Sequence, residues 1–264
     1  MDSGLDPHDH AETPTNIVVS QVYEGLMGRD KEGGIIAKLA TEWERVESGT
    51  VRFTLRDGVT FHDGDPVTSE DVRYSIRRVE TEEVGGALPQ DGDLAGGKTL
   101  ENIAAGDGEV TVTFGGLNPI VFSLFATNGQ IMQQSWVESN ENSFINRNTN
   151  GTGPFQVTDY QSGTSVSYER YEDYWGEPAA AEGATITASS ESATRVNQLV
   201  AGETDIVTNV PPQEISRVES SEATSVDPVP STRIIFLQMR YDVEPFSSQQ
   251  FRQAMNYAVD VQSI

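Results

Sequence analysis

The stretch VRFTLRDGVTFHDGDPVTSEDVRYSI, residues 51–76, begins with five residues in which apolar and polar side chains alternate. This alternation predicts a half-buried β-strand over residues 51–55. The dipeptide Asp57-Gly58 that follows is typical of a hairpin turn, and it predicts that residues 59–61 return as a second strand. A second such dipeptide, Asp63-Gly64, breaks the chain again. The first half of the stretch therefore predicts antiparallel β-structure.

The second half of the stretch predicts a helix. Thr68 has a side chain suited to an N-cap, and Glu70 and Asp71 would lie in the first turn, where the helix dipole favours anions. Apolar residues recur at helical spacing on one face, namely Val72, Ile76 and Val79. The acidic residues of this stretch are thus explained as turn formers and helix-start charges.

An imidazole among carboxylates also raises the question of a metal site or an acid–base site at His62. A divalent cation requires three or four converging ligands. In an extended segment His62 and Asp63 point to opposite faces, and Asp65 follows a turn. We therefore predict that these side chains belong to the scaffold and that no metal binds here.

Other candidate sites are less complete. His8 and His10 alternate in HDH without a third ligand nearby in the sequence, so we expect a surface loop there. GTGPF at 151–155 resembles a phosphate cradle, but it leads into a strand and not into a helix, whose dipole such a cradle uses. The nucleophile elbow and the phosphate-loop and dinucleotide fingerprints are missing from the sequence, so catalysis is not predicted. Four aromatic residues could stack a ligand, although packing in a core is the favoured interpretation: Tyr168, Tyr171, Tyr174 and Trp175.

The amino-acid composition excludes some classes of binding partner. The 264 residues carry a formal net charge of -24, which repels nucleic acid and anionic lipid. Two explanations of this acidity are open. It can provide ordinary solubility, or it can be an adaptation to molar salt, where the Debye length is only about 3 Å and the repulsion between the acidic residues is screened. Because lysine is scarce, the second interpretation is favoured, and we expect a halophilic source. The absence of cysteine excludes disulfides and thiolate chemistry.

The rest of the chain predicts alternating strands and helices. Helices are expected over NIVVSQVYEGL with Asn16 as N-cap, from Asn118 to Phe125, from about 191 to a stop at Gly202, from Pro211, and after Ser247 or Ser248 with Phe251, Met255, Ala258 and Val259 facing inward. Strands are expected at 110–114, 155–160, 165–171, around Ile186, at 205–207 and at 233–239, while 80–108 reads as irregular and 133–152 as a polar stretch. No window approaches the ~20 apolar residues of a membrane span. The N-terminus lacks the pattern of a secretory signal, which fits a cytosolic protein or the loss of a targeting segment.

The ordered set of these segments resembles one family, the large extracytoplasmic solute-binding proteins of ABC importers that carry dipeptides, oligopeptides, nickel and some sugars (extracellular solute-binding protein family 5). The segments that carry the resemblance are LDPH, QVYEGL, LATEWE, the stretch at 51–76, GTGPF, YEDYWG, RVNQLVAGETDI and FRQAMNYAVDVQSI. Each is weak alone, but eight in order form a specific signal across nearly the whole chain.

The resemblance implies an α/β fold, namely a periplasmic-binding-protein type II-like lobe (a mixed sheet with flanking helices) with an inserted α+β subdomain. The first-lobe core would comprise 1–45 and 155–264, and the insert 46–154. The family continues beyond the last helix, so the chain is expected to be the N-terminal lobe only, truncated at its C-terminus and lacking the signal and lipid-anchor region of an extracellular receptor.

For function, the resemblance implies a monomeric receptor that captures a peptide or another small solute outside the membrane and delivers it to a membrane permease. No cofactor is expected. Ligand contacts are expected from the extended segment Ala11, Glu12 and Thr13 by backbone pairing, and from the strand end at Gln238 and Arg240. Family members often have Asn in place of Arg240, so the chain departs from the family pattern at this position. A solute sensor without transport is the alternative, and a carboxylate-dependent hydrolase is the enzyme class that would require two facing acids.

Overall fold

In the computed structural model, residues 4–10, 12–81, 84, 94–229 and 236–260 are described, and they form strands and mostly short helices. The strands are β1 (Met27–Arg29), β2 (Ile35–Ala37), β3 (Ala40–Glu47), β4 (Thr50–Leu55), β5 (Leu100–Gly106), β6 (Glu109–Phe114), β7 (Phe155–Gln161), β8 (Ser165–Arg170) and β9 (Gly183–Thr187). The helices are α1 (Thr13–Val19), α2 (Ser69–Thr81), α3 (Val121–Phe125), α4 (Gln134–Glu138), α5 (Asn142–Ile145), α6 (Ser192–Ala201), α7 (Ile215–Glu219, after a 3-10 turn at Pro212–Glu214) and α8 (Gln249–Ala258). The chain divides into two compact units, 1–229 and 230–264.

The predicted strand over 51–55 is confirmed as β4, which lies inside a four-stranded antiparallel sheet of order β3-β4-β6-β5. Val51 and Phe53 are fully buried, as the alternation requires. Phe53 packs against Phe125 at a ring-centroid distance of 4.8 Å, which joins the sheet to α3. This sheet and the apolar face of α2 form the larger of two hydrophobic cores.

The predicted hairpin at Asp57-Gly58 is wrong. Residues 57 and 58 do form a turn, but β4 pairs on both sides with other strands, β3 and β6, so residues 59–61 cannot pair with it. They turn instead at Asp63-Gly64: Phe61 N–H donates to the Asp65 carbonyl at 2.8 Å, and Val67 N–H donates to the Val59 carbonyl at 2.9 Å. The second Asp-Gly dipeptide is the one that reverses the chain.

The predicted helix after Thr68 is confirmed as α2. Thr68 and Asp71 cap its start reciprocally: Thr68 N–H donates to Asp71 Oδ2 at 2.9 Å, and Asp71 N–H donates to Thr68 Oγ1 at 3.3 Å. The predicted apolar face, Val72, Ile76 and Val79, is buried. One side of α2 therefore anchors the first core.

A second core lies between α1 and the three-stranded antiparallel sheet β7-β8-β9. Val18, Val19 and Val22 point into it from α1 and the turn that follows, and Val166 and Tyr168 point into it from β8. The strands expected at 155–160, 165–171 and around Ile186 are confirmed here, and Gly202 ends α6 in the left-handed conformation with φ 73°. This second core fixes the position of α1.

Besides the hairpin, three further predicted features of the first unit are wrong. Helix α1 begins at Thr13 and not after Asn16, because Pro14 occupies its first turn, where a missing N–H is tolerated. Residues 100–106 of the supposedly irregular region form β5, since β6 provides a pairing edge. Residues 205–207 form no strand, and Ile206 is 82% exposed because no strand of the described structure pairs with it.

In the second unit α8 is confirmed, and Ser248 Oγ accepts a hydrogen bond from Phe251 N–H as an N-cap. The expected inward face of α8 is wrong within the described residues, because none of the helix residues is buried. The strand expected at 233–239 lies partly outside the described residues, and 236–239 are not in a strand. Among the described residues, none of the helices has the length and apolar character needed to cross a membrane.

Candidate functional site

A polar groove of about 470 Å³ lies beside α1 in the first unit. Its wall is formed by the polar face of α1, by β1 with the residue after β2, and by the end of α3. The lining residues are Asn16, Ser20, Gln21, Tyr23, Glu24, Gly25, Met27, Gly28, Arg29, Lys38, Phe125, Ala126, Thr127, Asn128, Gln130 and Pro154. A groove of this size and polarity suits a small polar solute.

Glu24 is the charged centre of the groove floor. Its side chain is 4% exposed and accepts hydrogen bonds from four donors. Lys38 Nζ and the Tyr174 hydroxyl donate to Oε1 at 3.1 and 2.9 Å. Trp175 Nε1 and Thr152 Oγ1 donate to Oε2 at 2.7 and 3.4 Å. Because a buried carboxylate is tolerated only when paired and hydrogen-bonded, these contacts fix Glu24 in one position.

The aromatic cluster is structural, as predicted, but it also supports the groove. Tyr168 and Tyr171 are buried, and the Tyr171 hydroxyl donates to the Phe61 carbonyl at 3.1 Å. Burial, with the charge of Glu24, raises the pKa of Tyr174, which keeps its phenol a hydrogen-bond donor. The Arg56 guanidinium lies 4.4 Å from the Trp175 ring centroid, a cation–π contact that holds the indole in place.

The GTGPF segment docks against the turn after α1. Gly153 N–H donates to the Val22 carbonyl at 2.8 Å. A Cβ on Gly151 would meet the Val22 carbonyl oxygen at 2.0 Å, and a Cβ on Gly153 would meet the Gln21 carbonyl oxygen at 2.7 Å. The two glycines are therefore required by close backbone approach.

His62 holds this segment from the other side. Its Nε2 lies 2.9 Å from the Gly153 carbonyl oxygen, and Gly151 N–H points to its Nδ1 at 3.4 Å. Since a carbonyl accepts and an N–H donates, the imidazole is neutral with its proton on Nε2. Burial lowers the pKa of His62, against the opposing influence of the Gly153 hydrogen bond and of Asp63, which agrees with this state.

Asp63 and Asp65 have structural partners as well. Asn150 Nδ2 donates to Asp63 Oδ2 at 2.8 Å, and Gln133 Nε2 donates to Asp65 Oδ2 at 2.9 Å. Among the described residues, no group of three or more potential ligands could hold a metal ion. The hydrogen bonds of His62, Asp63 and Asp65 agree with their interpretation as parts of the scaffold.

The expectation of a surface loop at HDH is wrong for His8, which is 4% exposed. Asp6 and Arg78 form a buried two-pronged ion pair, with Nη1–Oδ1 at 2.9 Å and Nη2–Oδ2 at 2.5 Å. His8 completes the cluster: Arg78 Nη1 donates to its Nδ1 at 2.9 Å, and its Nε2 donates to the Gln130 carbonyl at 2.8 Å. The LDPH segment is thus pinned to α2 by a charged cluster that spacing alone did not reveal.

The pKa values of this cluster follow from burial and charge. Burial and the adjacent Arg78 lower the pKa of His8 to about 4. Burial by itself would raise the pKa of Asp6, but the hydrogen bond and charge of Arg78 outweigh it, and that pKa is lowered. At neutral pH the cluster is therefore a carboxylate, a guanidinium and a neutral imidazole.

The five residues predicted to contact a ligand are distributed over both units. Ala11 lies outside the described residues. Glu12 has an extended backbone with φ -99° and ψ 131°, but Thr13 is already helical, so the extended segment is shorter than expected. In the second unit Gln238 and Arg240 are exposed, and Arg240 pairs with Asp242. The groove residues were missed by sequence reasoning, because they come from segments far apart in the chain.

A solved structure of the periplasmic binding protein AgaA in complex with agropinic acid, from A. tumefacien R10, matches at TM-score 0.81 with 26% identity, over 98% of this chain and 52% of that one. The fold is therefore that of a periplasmic binding protein lobe, and the predicted fold class is confirmed. A family model described as Bacterial extracellular solute-binding proteins, family 5 Middle, matches residues 34–264, and the chain belongs to this family. The predicted resemblance is thereby confirmed.

Two curated relatives are similar in sequence. The nickel-binding protein NikA of Staphylococcus aureus is 22% identical over 91% of this chain and 46% of its own length. The probable D,D-dipeptide-binding periplasmic protein DdpA of Escherichia coli is 26% identical over 86% of this chain and 44% of its own length. The chain thus spans about half the length of the curated relatives it matches.

Proposed function

We propose that this chain belongs to the solute receptor of an ABC importer, which binds a peptide or a similar small solute outside the membrane and delivers it to a membrane permease. The observation that carries the proposal is the polar groove beside α1, whose lining residue Asn16 lies one turn after the extended Glu12. The relatives are named for binding nickel and a D,D-dipeptide, and the solved structure holds agropinic acid, so the family accommodates chemically different small solutes.

The proposed mechanism is closure around the solute. The groove and the backbone of residues 11–13 would present one face of the binding site, and a second lobe would supply the other. Solute favours the closed form because that form alone contacts it from both sides. In this scheme 1–45 with 155–264 forms the core of the first lobe and 46–154 its insert. The solute contacts expected from the sequence at Gln238 and Arg240 stay a prediction.

The test is an NMR titration of the chain with a mixture of dipeptides and tripeptides at millimolar concentration. One face of a site binds weakly, so we expect fast-exchange shifts at Glu12, at Asn16 and at groove residues such as Gly25 and Asn128. The matched observation points are Thr113 and Ser167, which lie in β6 and β8 and do not line the groove. Shifts absent from α1 and the groove at saturating peptide would refute the proposal, as would shifts spread evenly over the chain.

A further inference from the structure

The groove beside α1 has a local charge opposite to that of the whole chain. Its sixteen lining residues include two cations, Arg29 and Lys38, and one acid, Glu24. The chain as a whole carries 41 acidic and 17 basic residues of these types. The negative charge of the whole chain repels an anion at long range, but the positive charge of the groove attracts the anion at short range.

Lys38 is held so that its ammonium group reaches the groove. Its aliphatic stem crosses Gly28, where an added Cβ would meet Lys38 Cγ at 3.1 Å and Cε at 3.3 Å. Glu24 accepts one hydrogen bond from Nζ at 3.1 Å, and the Lys38 side chain remains 34% exposed. Since an ammonium has three donors, Lys38 can serve a second acceptor in the groove without leaving Glu24.

Arg29 carries a charge that its neighbours do not neutralise. Its guanidinium donates to the Gly33 carbonyl at 2.9 Å, to the Ser123 carbonyl at 3.3 Å and to Thr127 Oγ1 at 3.5 Å. All three acceptors are uncharged, and within the described part of the chain no carboxylate forms an ion pair with Arg29. These contacts orient the planar group at the groove while leaving its charge available to a ligand.

We propose that Arg29, with Lys38 beside it, recognises a carboxylate group of the solute, so that the groove selects anionic solutes over neutral ones of the same shape. This inference rests on the proposed function and names the chemical class of solute that the groove takes. Guanidinium–carboxylate hydrogen bonds are charge-assisted and are among the strongest polar contacts in proteins. A neutral solute of the same shape would lack these charge-assisted contacts.

The experiment compares two probes of equal size, N-acetyl-dialanine and its C-terminal amide, by NMR titration of the chain and three variants. Arg29→Gln removes the charge and the proposed contact and keeps a shorter, uncharged polar side chain. Lys31→Gln is the matched control, because it removes the same charge from the turn that joins the antiparallel pair β1 and β2, but from a side chain that is 85% exposed and does not line the groove. Lys38→Gln tests the second cation, with thermal unfolding measured alongside because Glu24 loses a partner.

For the parent chain and Lys31→Gln we expect tighter binding of the carboxylate probe, with shifts at Gly28 and Asn128. In Arg29→Gln we expect the carboxylate probe to bind about 10-fold more weakly, the usual worth of one charge-assisted hydrogen bond. The amide should bind all these variants alike. Equal affinity of both probes for the parent chain would overturn the inference but leave the proposed function intact, whereas binding of neither probe nor of any peptide would overturn both.

Discussion

His62 and Gly153 are 91 positions apart in the sequence, and the Nε2 of His62 donates to the Gly153 carbonyl at 2.9 Å. With the bond from Gly151 N–H to Nδ1, this contact presses the GTGPF segment against the backbone after α1. The groove is therefore bounded on one side by a loop that is positioned entirely by non-local contacts.

The close approach of Gly151 predicts a severe effect of a single methyl group. In Gly151→Ala the new Cβ meets the Val22 carbonyl oxygen at 2.0 Å, so the loop must move, and we expect a loss of about 3 kcal/mol in the free energy of unfolding. Urea denaturation measures it. Gly115→Ala is the control. Its Cβ would lie 3.3 Å from Oε1 of the flexible Glu101 side chain, and the next nearest atom, the Thr99 carbonyl oxygen, is 3.7 Å away. Equal stability of the two variants would contradict the packing argument.

The buried pair of Asp6 and Arg78 predicts a large loss on removal of one partner. Asp6→Asn leaves the Arg78 guanidinium buried without its carboxylate, and we expect a destabilisation of about 3–5 kcal/mol by urea denaturation. The control is Arg73→Gln on the same helix, which breaks an ion pair with Glu70 whose side chains are about half exposed, and which should change stability by about 0.5 kcal/mol. A loss from Asp6→Asn no larger than that control would rule out a structural role for the pair.

Burial of His8 predicts acid sensitivity. Its pKa is lowered to about 4 in the folded chain from 6.5, so between these values the unfolded chain binds more protons and stability rises with pH. The contribution of His8 is complete above pH 6.5 and is lost as the pH falls toward 4, an effect on the order of 3 kcal/mol. Protonation of Nδ1 would place a proton against Arg78, with only Asp6 as an attractive charge and with His10 adding repulsion.

The variant His8→Gln checks this pH dependence. Its amide can accept from Arg78 and donate to the Gln130 carbonyl without titrating, so the slope of unfolding free energy between pH 6.5 and 4 should be smaller than in the parent chain. A residual slope remains, because burial also lowers the pKa values of His10 and His62. Parallel stability curves for parent and variant would show that His8 does not contribute.

The four donors on Glu24 predict a change in both stability and fluorescence. Glu24→Gln removes the charge that Lys38 pairs with and replaces one acceptor oxygen by a donor, so we expect a loss of about 2 kcal/mol and a shifted emission of Trp175, whose indole N–H donates to Glu24. Glu42→Gln on the exposed face of β3 is the matched control and should alter neither. Unchanged emission in Glu24→Gln would contradict the observed Trp175 contact.

The net charge predicts stabilisation by salt. With a formal charge of -24, self-repulsion opposes the compact state at low ionic strength and is screened in molar KCl, so the midpoint of thermal unfolding should rise markedly between the two conditions. Circular dichroism at increasing KCl concentration measures it. Sucrose at matched water activity is the control for non-ionic effects. A midpoint that does not depend on salt would refute the hypothesis of halophilic adaptation.

The sequence was most informative where the physical cause is local. The alternation at 51–55, the cap at Thr68 and the stop at Gly202 depend on neighbours a few residues away, and all three were predicted correctly. The hairpin at Asp57-Gly58 failed for a non-local reason, because β3 and β6 occupy both edges of β4. Strand β5 was not predicted for the same reason, because its alternation of apolar and polar residues is weak and it forms a strand by pairing with β6.

By itself the sequence determined the family, the local elements and the strongly acidic character of the chain, because motif order, periodicity and composition are properties of the chain alone. The tertiary structure decided where the charges act. It buried His8 between Arg78 and Gln130, gathered four donors around Glu24, and placed Arg29 and Lys38 in one groove. His8 lies 70 positions from Arg78, and Trp175 lies 151 positions from Glu24, so these electrostatic energies exist only when packing brings the groups within a few ångströms.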